Sequence, residues 1–353
     1  MQLLPLLLCL HARATVSMAP RAKWVEGLAS RVILAPLERV SDVGFRKLCF
    51  EQGAGFTWTE MVYCSDLKRA SPSAVQCIDT FDSDTPTGLQ LLVDRTSAPQ
   101  GYGVGGLRAA LDQLELLAST SHPHWRNIAA IDLNFGCPSP GIVKRGAGPA
   151  LLRKRSKMAK LFEELAGWRD AQTSLPRLHA VGAKIRLGAN QREQDFKVYL
   201  PVAEAAVEHG LDFLTVHARH GEQRSRDAPT WAALAEVSEV ARGSRLSVIG
   251  NGDVKTACDA QRMRAETGVD AVMVGRAAMH NPWSLRSLSQ PDGHLELATE
   301  RWPSLAELDS AQQAWDALGA THLGRQRYRP FHADNFRRIR EESRLREAKR
   351  GGL

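Results

Sequence analysis

Cys137 stands between Gly136 and Pro138, just past an apolar run from Ile128 to Leu133 that reads as a buried strand, with Asn134 three residues before it. A thiol in a loop at a strand end is placed to meet a substrate, whereas buried structural cysteines are inert. No neighbouring residue completes a Cys–His nucleophile pair. Acid catalysis is therefore the expectation, because an ordinary thiol with a pKa of about 8.5 keeps its proton at neutral pH. Two further segments point to phosphate. Gly250-Asn251-Gly252-Asp253 follows one apolar run and Gly275-Arg276 follows the next; glycine lets backbone N–H groups approach phosphate oxygens, and Arg276 adds a bidentate donor. Lys184 would bring a cation suited to a ring that gathers negative charge, as a reduced flavin does. His217 and Gln90 could hydrogen-bond a cofactor or substrate, and Glu60 could accept from a ligand. Each also has a plain structural reading: glycines make turns, a lysine pairs with a carboxylate, and an amide or a glutamate serves a loop.

These residues need a frame, and the chain alternates short apolar runs with helical patterns. Strands are expected at 32–35, 56–59, 89–93, 128–133, 180–185, 213–216, 246–249 and 271–274. Helices are expected at 41–51, 107–118, 156–166, 199–209, 231–241 and 256–267, where apolar residues recur at three-and-four spacing. Eight strand–helix units over about 250 residues fit an α/β fold, a closed (β/α)8 TIM barrel, with the chemistry at the C-terminal strand ends. Nearly all the residues named above fall there. Segments 94–106 and 139–148 read as loops, 121–127 and 167–178 as surface connections. After Trp283 the pattern stops, and 305–318 and 331–349 read as helices of an appendage.

Of the 353 residues, 43% are hydrophobic and 24% charged, ordinary for a globular protein, and the net charge is +7. From His322 to Leu353 ten basic residues face four acidic ones, so +6 of that excess sits in the last 32 residues. Such a tail suits a polyanion, although a solvated helix face would look the same. The six cysteines form no C-x-x-C pair, which argues against a disulfide scaffold or a zinc site. No run reaches the ~18–20 apolar residues of a membrane span, so no membrane partner is expected. The apolar run from Leu3 to Leu10 and the basic residues after it suggest a targeting segment, or an upstream extension with the start at Met18. The expected location is the cytoplasm, or an organelle if 1–31 is a targeting peptide.

Several motifs in this order resemble the tRNA-dihydrouridine synthases. They are Leu34-Ala35-Pro36, Thr59-Glu60-Met61, Asp132-Leu133-Asn134-Phe135-Gly136-Cys137-Pro138-Ser139, the run from Lys144 to Leu152, Lys184-Ile185-Arg186-Leu187-Gly188, Val216-His217-Ala218-Arg219, Gly250–Asp253 and Val274-Gly275-Arg276. The resemblance covers about residues 32–287. It implies an FMN-binding catalytic barrel over 32–287, a basic helical tRNA-binding region over 288–353, and an extension over 1–31 outside the fold. The implied reaction is FMN-dependent reduction of uridine in tRNA to 5,6-dihydrouridine, with NADPH as reductant. A hydride would pass from flavin N5 to uracil C6 and a proton from Cys137 to C5. By the same resemblance Pro36, Leu37, Glu38, Gln90, Lys184, His217, Asn251, Gly252, Asp253, Gly275 and Arg276 would hold FMN. Glu60, Asn134, Arg186 and Arg219 would contact substrate, and no metal is implied. Arg325, Arg327, Arg329, Arg337, Arg338, Arg340, Arg344 and Arg346 are the candidates for gripping tRNA, and the chain is expected to act as a monomer. The sequence departs from the family at His217-Ala218-Arg219-His220, where the family has H-G-R-T, and at Ser225, where it has an aromatic residue. The other readings are an FMN reductase of a free pyrimidine and a non-catalytic RNA-binding barrel.

Overall fold

The computed structural model describes residues 23–78, 85–93, 104–289, 301–318 and 330–351. Eight parallel strands follow one another around a ring: β1 (Val32–Leu34), β2 (Thr57–Tyr63), β3 (Thr87–Leu92), β4 (Ile128–Phe135), β5 (Ala180–Arg186), β6 (Phe213–His217), β7 (Ser247–Asn251) and β8 (Ala271–Val274). Each pairs with its sequence neighbours, and β1 pairs with β8. The ring closes between β1 and β2 through a parallel bridge from Ile33 to Phe56, with the Leu34 N–H donating to the Phe56 carbonyl at 2.9 Å. All eight expected strands are present, and the fold is the expected TIM barrel with helices between the strands.

Alternation along the strands sets what faces inward, because successive side chains point to opposite faces. Ile33, Trp58, Ala130, Ala180, Phe213, Ile249, Ala271 and Met273 pack into one inner cluster, while the larger cluster lies between strands and helices. Trp58 and Phe213 fill the barrel floor, their rings 5.4 Å apart. They have room because Gly88 and Gly182 face them: a Cβ on Gly88 would run into the Trp58 ring, and one on Gly182 into the Phe213 carbonyl and ring. We expect Gly182→Ala to destabilise the fold by about 3 kcal/mol, the upper end for overpacking. Gly167→Ala is the control. A Cβ on Gly167 would meet nothing within 4 Å, so it should be neutral or stabilising by up to about 1 kcal/mol. Denaturant midpoints compare the two.

Several boundaries differ from the sequence expectation. The helix over Arg155–Ala171 runs past Gly167, with Trp168 buried on its inner face. The 139–148 segment contains a short helix, Pro140–Lys144, begun by a proline in its first turn, and a 3-10 turn at Gly148–Leu151 follows. Segment 121–127 holds a 3-10 turn, Pro123–Asn127, that buries Trp125. Of the 94–106 segment, 94–103 lie outside the described residues, and Val104 already opens a helix. A further helix, Ser284–Leu288, follows Trp283.

The sequence expectation places 1–31 outside the fold, and 1–22 are not among the described residues. Residues 23–28, however, belong to the barrel. Trp24 packs against Phe56 and Phe213 at centroid distances of 4.9 and 4.8 Å, closing the floor. Lys23 pairs with Asp270 at 2.8 Å. Aromatic contacts of this kind add roughly 0.5–1.5 kcal/mol each beyond burial.

The helices Leu305–Leu318 and Pro330–Gly351 pack on one another, and the first of them packs against the Val43–Glu51 helix. Trp315 lies over Gly44 and beside Phe45 and Phe336. Among the described residues no helix is long and apolar enough to cross a membrane.

Candidate active site

At the C-terminal mouth of the barrel lies a cavity of about 910 Å³, within the range of small-molecule sites. Inward positions of the strands change from apolar at the floor to polar at this rim. On β4 the series is Ala130, Asp132, Asn134; on β5 Gly182, Lys184, Arg186; on β6 Phe213, Thr215, His217. Fifteen of the sixteen sequence-nominated residues line the cavity: Pro36, Leu37, Glu38, Gln90, Asn134, Cys137, Lys184, Arg186, His217, Arg219, Asn251, Gly252, Asp253, Gly275 and Arg276.

Glu60 is the exception. The pairing of β2 with β3 shifts register between Trp58 and Met61, and Met61 rather than Glu60 reaches the cavity. The buried Glu60 carboxylate instead accepts the Arg39 backbone N–H at 2.5 Å, anchoring the loop after β1.

The loop carrying Cys137 is braced from three sides. Asn134 Oδ1 accepts the N–H groups of Gly136 and Cys137 at 3.1 and 3.0 Å. Arg186 Nε donates to the Gly136 carbonyl at 2.7 Å. Gly148, at φ +58°, lies so close to the Cys137 carbonyl that a Cβ there would sit 2.9 Å from it. The glycine of the Gly146-Ala147-Gly148 element therefore serves the thiol loop across the chain. Cys137 itself is half-buried. Burial pushes its thiol up and nearby Glu38 adds to this, while the Ser139 backbone, Arg186 and Lys184 oppose. Its proton is thus held at neutral pH.

His217 behaves in the opposite sense. Burial, and then the cations Lys184, Arg186, Arg219 and Arg276, push its imidazole well below the ordinary value. It is neutral at physiological pH and cannot serve as a standing acid. Between the two candidates, the protonated donor is Cys137.

Three of the cations that line the cavity are in different states. Lys184 is pushed down by burial and by Arg186, with Asp132 and Cys137 opposing. Among the described residues no acceptor lies within hydrogen-bond distance of its ammonium. Arg219 is buried and largely committed, its Nε donating to the Asp227 carbonyl at 2.7 Å and its Nη2 to Asp253 at 2.6 Å. Arg276 also donates to Asp253, whose φ is +55°. Asp253 therefore ties the ends of β6 and β8 together, and the two arginines hold its carboxyl below the usual range against a desolvation that raises it.

Sequence reasoning missed the far wall. Trp302, Arg338, Glu342 and Arg346 line the same cavity, so the C-terminal helix reaches the barrel mouth. Arg346 lies over the Trp302 ring at 4.7 Å. Arg338 donates to the His280 carbonyl and to Asn335 Oδ1. Arg340 pairs with Asp309 at 2.5 Å and with Gln312 at 3.0 Å, which binds the two tail helices together. Arg338 and Arg340 are thus engaged in holding the tail. Arg337 and Arg344 stay exposed, and Arg325, Arg327 and Arg329 lie outside the described residues.

A TIM barrel with a proton-bearing thiol, a neutral histidine and a ring of cations at its mouth has the layout of a barrel enzyme. The sequence profile of the dihydrouridine synthases matches residues 33–99 and 112–349, and the chain belongs to that family. A probable tRNA-dihydrouridine synthase of Mycobacterium tuberculosis is 31% identical over 306 residues, 84% of this chain and 71% of that protein. Another, from Treponema pallidum, is 30% identical over 264 residues, 74% of this chain and 71% of that protein. The solved structure of old yellow enzyme from Trypanosoma cruzi overlaps 72% of this chain and 86% of that one, at TM-score 0.46 and 13% identity, and adds nothing to the topology above.

Proposed function

We propose that the protein is a flavin-dependent tRNA-dihydrouridine synthase that reduces a uridine of tRNA to 5,6-dihydrouridine, with FMN as its flavin and NADPH as reductant. The observation that carries this reading is the pairing, in one cavity, of the protonated Cys137 thiol with the half-buried, acceptor-free Lys184 ammonium. A cation partly withdrawn from water with no acceptor beside it is disfavoured, and an anionic ring edge would complement it.

The residues present fit FMN. Asn251 is held by its Nδ2 donating to the Met273 carbonyl at 2.8 Å, Gly252 has φ +136°, and Gly275 leaves the backbone bare beside Arg276. Together these make a phosphate cradle after β7 and β8. Lys184 would face the electron-rich edge of the ring, and Pro36 and Leu37 would pack beside it. When bound, the flavin supplies the reducing equivalents to the uracil ring. The chain's own residues then do three things. Cys137 Sγ holds a proton and delivers it to uracil C5 as negative charge builds there. The free Nδ2 hydrogen of Asn134 orients the base by a hydrogen bond, and neutral His217 lies beside the flavin. Arg186, still positive at neutral pH, braces the thiol loop and raises the local positive potential. A base stacked in folded tRNA cannot bring its C5 to Cys137 at the barrel mouth, so the uridine would be extruded from its helix to enter.

The exposed arginines of the tail helix would track tRNA phosphates. We expect the combined replacement Arg337→Gln, Arg344→Gln and Arg346→Gln to weaken tRNA binding. The slope of log K against log salt should flatten by about 2 to 3, near one for each phosphate no longer neutralised. An unchanged slope in a filter-binding titration would remove this helix from the tRNA grip.

The experiment that tests the reading incubates the purified protein and NADPH with unmodified tRNA, free uracil and orotate side by side. Dihydrouridine should form in the tRNA, and the free pyrimidines should remain. Reduction of a free pyrimidine alone would favour a small-molecule reductase. A colourless protein that binds tRNA without changing it would favour a non-catalytic barrel.

A further inference from the structure

We infer that Asp132 is a positioning residue for the Cys137 loop, acting through the side-chain amides of Gln90 and Asn134. The inference deepens the reading of Cys137 as proton donor and rests on it, but the bonds it concerns can be measured without turnover.

Three buried side chains form one directed chain that ends on two loop amides. Gln90 Nε2 donates to Asp132 Oδ2 at 2.5 Å, and Asn134 Nδ2 donates to Gln90 Oε1 at 2.8 Å. Asn134 Oδ1 then accepts the two loop amides of Gly136 and Cys137. A primary amide fits its pocket nearly as well either way round, and only its partners decide which end faces where. Asp132 can decide, because the oxygen facing Gln90 is an acceptor alone. It turns the NH2 of Gln90 toward itself, which leaves Oε1 facing Asn134. That in turn orients Nδ2 of Asn134 inward and Oδ1 toward the loop. Reversing either amide would set oxygen against oxygen at Asp132, or NH2 against the N–H groups of Gly136 and Cys137.

Besides favouring the Lys184 charge through space, Asp132 makes no other side-chain hydrogen bond among the described residues. It is buried and its Oδ1 has no hydrogen-bond partner. A carboxylate left half-satisfied in a barrel interior costs stability, so its retention points to the Gln90 contact. Burial raises its carboxyl, with Gln90 and Lys184 opposing. The chain tolerates either protonation state, because a proton on Oδ1 leaves Oδ2 free to accept.

Full-length Asp132→Leu, Asp132→Asn, Asn134→Asp and two double variants test this by amide hydrogen exchange at Gly136 and Cys137. Asp132→Asn keeps an accepting oxygen and should stay near wild type. Asp132→Leu removes it, and protection of the two amides should fall about tenfold, the loss of roughly one hydrogen bond. Asn134→Asp should also lose protection, since Gln90 then faces acceptors on both sides. Asp132→Leu/Asn134→Asp should recover it: Gln90 turns round and donates to the new carboxylate at position 134, whose two oxygens cap the loop in any orientation. Where the leucine variant fails to fold, Asp132→Asn/Asn134→Asp offers the same recovery, with the new amide at position 132 donating to Gln90. Wild-type protection in Asp132→Leu would overturn the inference. So would double variants no better protected than Asn134→Asp alone, since a merely structural role predicts additive damage. Failure of the wild type to make dihydrouridine would sink the functional reading and leave these exchange rates as they are.

Discussion

Cys137→Ala should lower dihydrouridine formation about 10²–10⁴-fold, the usual contribution of a general acid, while the protein stays folded and retains its flavin. The separation follows from where the residue sits. The thiol is on a loop held by Asn134, Arg186 and Gly148 through backbone atoms, none of which the substitution removes. His217 cannot take over the proton: it is neutral because burial and four cations depress it. Cys137→Ser keeps a hydroxyl at the same place, but an alcohol is a far weaker acid than a thiol and should rescue little. Single-turnover assays on tRNA, with the flavin spectrum as control, separate chemistry from binding. Full activity in Cys137→Ala would assign the proton to another group or to water.

Lys184→Met should cost about 10²–10³ in turnover, the scale seen when a preorganised electrostatic donor is removed, and should weaken flavin retention. The fold itself should be no less stable. Burial pushes Lys184 down from its ordinary value to about 8. Between about 8 and that ordinary value the unfolded chain binds the proton and the folded chain does not, so the stability contribution rises with pH across this window. At neutral pH the buried charge is therefore a burden, and methionine relieves it. Function has the opposite dependence. The cation is present below about 8 and lost above it, so flavin retention in the wild type should weaken as pH climbs through that value and stay flat in Lys184→Met. Equal pH profiles for the two proteins would detach Lys184 from the flavin.

Much of this site can be read along the chain because a barrel turns sequence order into position. Each strand ends at the mouth, so polar residues at strand ends converge whatever their distance in sequence. That logic brings Gln90, Lys184, His217 and the loops after β7 and β8 to the cavity wall. It fails where the period breaks. Glu60 shares parity with the inward Trp58, but the register shift in β2 turns Met61 toward the cavity and leaves Glu60 to the Arg39 backbone. The signal for Asp132 is present but easily overlooked. Asp132 and Asn134 alternate with Ile131, Leu133 and Phe135, so two polar residues share one face inside a strand that reads as merely buried. The contribution of the tail is of another kind. Its composition shows that it is basic, but not that Arg338 and Arg346 reach the barrel mouth, or that Arg340 is paired with Asp309. Those contacts depend on how the helix packs against Trp315 of the preceding helix, which no local pattern records. The floor shows the same limit: Trp24 stands in a stretch that reads as an extension, and only its packing against Phe56 and Phe213 joins it to the barrel floor.

The central claim is that this barrel reduces a uridine in tRNA, and the most direct measurement expresses the protein in a strain that lacks dihydrouridine and maps its tRNA by mass spectrometry. The account predicts a gain of two mass units at a defined uridine position, present with the wild type and absent with the empty vector. Finding no such gain at any position, in cells where the protein is folded and abundant, would contradict it.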